Sequence, residues 1–155
     1  MHVLIVDDNR DSLELMALQL GALDCEVRAA GSVREAVALL DVEVPDLVLT
    51  DLCMPGEDGL ALARYCRTRY PDLPVAIISG YGDHAIVRAA LACGVIDWLE
   101  KPFEPSAFER LLRRVRARHA PIGDRLASSA ECYGARLTQF VSALGAMSAA
   151  LKLRG

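Results

Sequence analysis

Five residues could do chemistry if the fold brought them together: Asp7, Asp8, Asp51, Ser79 and Lys101. Each ends or follows a short apolar run, at 3–6, 47–50, 75–79 or 95–99. An acid in that position is costly unless its charge is used, because an isolated carboxylate in apolar surroundings protonates instead. Two carboxylates about 5 Å apart repel by roughly 3 kcal/mol at an effective dielectric near 20, so three require a counter-charge. An all-oxygen ligand set with room for water and an anion suits Mg2+, whereas zinc prefers nitrogen and sulfur. Lysine brings a point charge to one anion oxygen, and a chain with 15 Arg and two Lys departs from its own preference at Lys101. Ser79 could donate a hydroxyl to the same anion. The chemistry allowed is attack of the Asp51 carboxylate on phosphorus, with metal, lysine and hydroxyl balancing charge on the transferred group. Singly, each residue has an ordinary use: an Asp caps a helix or turn, a Ser before Gly starts a turn, a Lys faces water. Jointly, at the ends of four strands, they favour a site.

Positioning them requires strands whose carboxyl ends meet. β-branched or leucine-rich runs recur at 3–6, 25–29, 47–50, 75–79 and 95–99, and the segments between them show helical periodicity. Leu13, Met16, Ala17 and Leu20 share one helix face, Val37 and Leu40 a second, Leu60, Ala63 and Cys66 a third, Val87, Leu91 and Ala92 a fourth. Asp11 or Ser12 is expected to cap the first helix, Ser32 with Glu35 forms a capping box, and Gly21 and Gly94 end helices. A final helix is expected over about 105–119, before Ala120, Pro121, Ile122 and Gly123 break the pattern. The alternation argues for an α/β fold, a doubly wound five-stranded parallel sheet with a C-terminal helical extension, and the flavodoxin-like order 2-1-3-4-5 is the expected one, since it makes strands one and three neighbours. Two regions follow, a domain over 1–119 and a linker with an amphipathic helical tail over 120–155.

The bulk composition excludes several classes. At 155 residues and 53% hydrophobic the chain can bury a real core, and no apolar run approaches the ~18 residues of a membrane span. The amino terminus, MHVLIVDDN, lacks the marks of a signal peptide, so a cytoplasmic location is expected. Five cysteines, Cys25, Cys53, Cys66, Cys93 and Cys132, lack metal-ligand spacing and read as reduced thiols packed as small apolar residues. Residues 1–119 carry 13 Lys+Arg against 19 Asp+Glu, a net −6, and 120–155 carry +2. Arg110, Arg113, Arg114, Arg116 and Arg118 read as a solvated helix face, so nucleic acid is not an expected partner. The glycine-free loop DDNRDS is unlike a nucleotide cradle.

The motifs VDDN at 6–9, TDLCMPGEDG at 50–59, IISGYGD at 77–83 and DWLEKPF at 97–103 resemble those of response-regulator receiver domains of two-component signalling (CheY-like), over about residues 1–119. The resemblance implies that Asp51 is the phosphoacceptor, supplied by a histidine kinase or phosphotransfer protein. It implies that Asp7, Asp8, Asp51 and the backbone carbonyl of Cys53 hold Mg2+, that Lys101 pairs with the phosphoryl group, and that Ser79 bonds it. It further implies a cis Lys101-Pro102 bond. Trp98 stands where receivers carry Tyr or Phe, a ring that moves inward with the hydroxyl; an amphipathic surface aromatic is the other reading of an indole there. The protein is expected to be no turnover enzyme but a phosphoacceptor with self-catalysed transfer and slow autodephosphorylation. Cys53 and Tyr81 flank the site at the family's variable positions.

In the tail, Leu126, Ala130, Tyr133, Leu137, Phe140, Leu144, Met147 and Leu151 form a heptad seam, expected either to self-associate over 126–151 or to cap the chain's own core. A homodimer through the fourth and fifth helices is an alternative, and an effector beyond Gly155 a third. Two rival functions stand beside phosphoacceptance. One is a phosphorylation-independent interaction module. The other is an Asp-nucleophile phosphatase, which Leu52 and Cys53 disfavour by leaving no acid two positions after Asp51.

Overall fold

In the computed structural model the described residues are 1–80 and 90–119, and Met1–Val115 form one compact unit. Of the expected fourth helix, which carries Val87, Leu91 and Ala92, residues 81–89 lie outside the described residues while 90–92 are helical; Cys132 and the whole seam over 126–151 also lie outside them. Strand β1 (His2–Val6) leads to helix α1 (Arg10–Gly21), β2 (Glu26–Ala30), α2 (Val33–Val42) and β3 (Leu47–Asp51). The two-residue strands β4 (Cys53–Met54) and β5 (Glu57–Asp58) follow, then α3 (Gly59–Arg69), β6 (Val75–Ser79), β7 (Asp97–Glu100) and a last helix α4 (Pro105–His119).

The main sheet is parallel throughout and runs β2-β1-β3-β6-β7, the doubly wound order expected from the sequence. Its central strands alternate apolar residues between two covered faces. Leu4, Val6, Val48, Val75 and Ile77 face one way and pack with Ala36 and Leu40 of α2 and Leu62, Ala63 and Cys66 of α3. Val3, Ile5, Leu47, Leu49, Ala76 and Ile78 face the other and pack with Met16 and Leu20 of α1 and Phe108, Leu111, Leu112 and Val115 of α4. Phe108, fully buried, meets the Phe103 ring edge-on at 4.8 Å. Burial of a side chain of this size contributes about 1.5–3 kcal/mol, so the two clusters, rather than helix propensity, hold the layers on the sheet.

Local signals were partly displaced. Asn9, not Asp11 or Ser12, caps α1: its Oδ1 accepts from the Ser12 amide at 3.0 Å, because the helix starts at Arg10, close behind the strand. Ser32 caps α2 as expected, accepting from the Glu35 amide at 3.2 Å, while the Glu35 carboxylate reaches one residue further back to the Gly31 amide at 2.8 Å. Gly94 ends its helix at φ +84, as a left-handed cap does. After Gly21 the left-handed residue is instead Asp24, at φ 59, one of the residue types that tolerates it. β2 sits one residue later than the 25–29 run and β7 begins at Asp97 rather than 95, since strand pairing with Met1–Val6 and with Ala76–Ser79 fixes their ends. The expectation of five packed thiols fails at Cys53, which is exposed; Cys66 is buried, and Cys25 and Cys93 are partly so. Among the described residues no helix is long and apolar enough to cross a membrane.

Candidate functional site

Parallel pairing puts Val6 opposite Thr50, so the residues leaving β1 and the end of β3 emerge side by side at the carboxyl edge. Asp7 and Asp51 are buried there and Asp8 is exposed. Each of the three offers a carboxylate oxygen, and these lie within 4.8 Å of one another. Ser79 ends β6, one residue beyond the partner of Asp51, and is 6% exposed. Lys101 follows β7 and is tied to that edge by its amide, which donates to the Ser79 carbonyl at 2.7 Å. The Lys101-Pro102 bond is cis, as expected.

From β7 the lysine side chain crosses the end of β6. Its Nζ donates to Asp51 Oδ1 at 2.9 Å and to Asp7 Oδ2 at 2.7 Å. The remaining oxygens are held by backbone: Asp7 Oδ1 accepts from the Asn9 amide at 2.8 Å, and Asp51 Oδ2 from the Cys53 amide at 3.1 Å. Burial on its own would lower the Lys101 pKa, but the hydrogen bonds and charges of Asp51 and Asp7 outweigh it and hold the ammonium above its usual value. Lys101, expected both to meet an incoming anion and to converge with the acids on Asp51, lies on Asp7 and Asp51. Three carboxylates against one ammonium leave the cluster with a charge of −2, the complement of a divalent cation. An octahedral ion with ligands at about 2.1 Å spaces them by roughly 3–4 Å, so these oxygens fit Mg2+ after a small closing.

The loop after β3 folds back on itself as a short hairpin. β4 and β5 pair antiparallel, Cys53 opposite Asp58 and Met54 opposite Glu57, and Pro55-Gly56 makes the two-residue turn with Gly56 at φ +72. Asp58 then caps α3, its Oδ1 accepting from the Leu60 amide at 2.8 Å. Gly59 packs on the strand end so closely that a Cβ there would meet the Asp51 carbonyl oxygen at 1.9 Å. Three residues that shape the site were not singled out from sequence: Asn9, Thr50 and Gly59. Asn9 could have been found as a cap type right behind the acids, and Gly59 as the glycine opening a helix. Thr50, a buried hydroxyl in an apolar strand, gave the weakest signal. Trp98 lies on edge strand β7 and is 42% exposed.

A family model described as the response regulator receiver domain matches residues 3–115. The chain belongs to this family. Among curated relatives, the response regulator protein PilR of Pseudomonas aeruginosa is 40% identical over 129 residues, 79% of this chain and 29% of that protein. Among solved structures, the receiver domain of NtrX from Brucella abortus superposes with a TM-score of 0.70 at 34% identity, over 73% of this chain and 96% of that one. The chemotaxis protein CheY4 of Vibrio cholerae gives 0.70 at 28% identity, over 74% and 97%. This receiver thus spans less than a third of the PilR protein it matches.

Proposed function

We propose that this receiver takes a phosphoryl group onto Asp51 from a phosphorylated histidine of a kinase or phosphotransfer protein, with Mg2+ as cofactor. The observation that carries this is the buried Asp51 carboxylate at the edge of the central strand, with Asp7, Asp8 and Lys101 converging on it. Asp51 oxygen attacks phosphorus as the phosphorus–nitrogen bond breaks, leaving that electron pair on the departing imidazole. Bound Mg2+ would be held by Asp7, Asp8, Asp51 and the Cys53 carbonyl and would neutralise charge on the phosphoryl oxygens. Lys101 moves from the acids to a phosphoryl oxygen, and the Ser79 hydroxyl donates to another. No turnover on phosphate esters is assigned, since Leu52 and Cys53 supply no acid for a leaving group. The cytoplasm is the compartment in which such a partner would be met.

The resemblance to receivers supports a switch in which Ser79 and Trp98 move together. Ser79 draws toward the phosphoryl group, and Trp98, exposed in this structure, turns inward. Because the chain has one tryptophan, a phosphoryl mimic such as beryllofluoride should reduce quenching of its fluorescence by acrylamide. Output then passes to a partner or to a second copy of the chain. The direct test is labelling by acetyl phosphate, expected with Mg2+ and lost with a chelator. A protein whose partners and oligomeric state ignore beryllofluoride would instead be a phosphorylation-independent module.

A further inference from the structure

The Asp51–Leu52 peptide is gripped from three sides. Thr50, 0% exposed, donates its hydroxyl to the Asp51 carbonyl at 3.1 Å. Leu52 donates its amide to the Ile78 carbonyl at 2.8 Å, anchoring the peptide to β6. Gly59, the first residue of α3, donates its amide to the Leu52 carbonyl at 3.1 Å and presents a bare Cα to the Asp51 carbonyl. A Cβ at that point would stand 1.9 Å from the Asp51 carbonyl oxygen and 3.0 Å from Thr50 Oγ1, so hydroxyl, peptide and helix start fill one another's space.

The peptide held in this way separates the two groups that matter most. Asp51 carries the carboxylate on one side, and Cys53, whose amide donates to Asp51 Oδ2, lies on the other. A change of ψ at Asp51 that φ of Leu52 does not compensate would swing the chain beyond the peptide and carry the Cys53 amide off the carboxylate. A buried hydroxyl must find an acceptor, and Thr50 finds the one whose orientation fixes the site.

We propose that Thr50 and Gly59 are positioning residues for the Asp51 site, locking the Asp51–Leu52 peptide so that the carboxylate and the Cys53 backbone keep the arrangement a divalent cation requires. The inference rests on the Mg2+ reading above, and it assigns metal affinity to two residues that offer the metal no side-chain ligand.

Thr50→Val and Thr50→Ser in the full chain test it. Mg2+ binding is measured by titration calorimetry, and exchange of the Cys53 amide is followed by NMR in metal-free, chelator-treated protein. Valine should weaken Mg2+ binding roughly three- to tenfold, the worth of one hydrogen bond, and speed Cys53 amide exchange, while serine keeps both at wild-type values. A threonine that only fills space would give a valine variant with Mg2+ affinity and Cys53 exchange unchanged, and that result overturns the inference. Wild-type protein with no saturable Mg2+ binding removes the metal reading and this inference together, whereas a normal wild type beside an unaffected valine variant removes this inference alone.

Discussion

Lys101 Nζ lies 2.9 Å from Asp51 Oδ1 while also donating to Asp7 at 2.7 Å, so one ammonium is shared by the two buried acids of the site. The lysine is a built-in counter-ion for the two acids, and any cation or phosphoryl group arriving at Asp51 must compete with or recruit it.

Removing that ammonium leaves Asp7 and Asp51 buried without their cation. Lys101→Met should destabilise the metal-free protein by about 1–3 kcal/mol in urea unfolding, and added Mg2+ should recover part of the loss. The sign of the pH dependence follows from the raised Lys101 pKa. Its contribution is fully present below the ordinary lysine value and is lost as pH rises through the higher folded value. The gap between wild type and variant should therefore stay constant from about pH 6 to pH 9 and close only in strong alkali.

Asp8 is the exposed member of the acidic group and has no part in the lysine's hydrogen bonds. Asp8→Asn should relieve repulsion and stabilise the metal-free protein by up to about 1 kcal/mol. The same variant should lose most of the stabilisation that Mg2+ gives to wild type. Paired urea titrations with chelator and with Mg2+ read both effects, and an asparagine variant that gains as much from Mg2+ as wild type would remove Asp8 from the ligand set.

Gly59 has no room for a side chain against the Asp51 carbonyl oxygen. Gly59→Ala must push α3 away from the strand end, at an expected cost of about 2 kcal/mol or more in unfolding free energy. Gly21, where an added Cβ meets nothing within 4 Å, is the control: Gly21→Ala should be neutral or stabilising.

The thiols of Cys53, beside the site, and Cys66, in the core under α3, should differ sharply toward iodoacetamide. Burial pushes Cys66 up to about 11, so it stays a protonated, inaccessible thiol at pH 8, while exposed Cys53 is alkylated first. Peptide mapping by mass spectrometry gives the order, and equal rates at the two positions would contradict the packing of α3.

Legibility followed burial and pairing. Runs such as 47–50 and 75–79 were plain because both sheet faces are covered, which leaves central strands apolar throughout, and the order of strand-end acids and lysine follows from the topology. The ends of β2 and β7 were displaced because hydrogen-bond register, which periodicity does not encode, sets where an edge strand starts. Asn9 was hidden beside two other cap types, and only the tight β1–α1 connection, with Asp7 accepting from its amide, selects it. The short β4–β5 pair was missed since two-residue strands carry no period at all. That Lys101 rests on Asp7 and Asp51 could not be read from spacing, because the choice between anion and acids belongs to three-dimensional charge balance.

The central claim is that Asp51 is the phosphoacceptor. Incubation of the full chain with acetyl phosphate and Mg2+, followed by borohydride trapping and peptide mass spectrometry, tests it most directly. The expected result is modification at Asp51, absent with chelator and absent from Asp51→Asn. Labelling of Asp51→Asn to the wild-type level, or a modified residue elsewhere in the wild-type protein with Asp51 untouched, would contradict it.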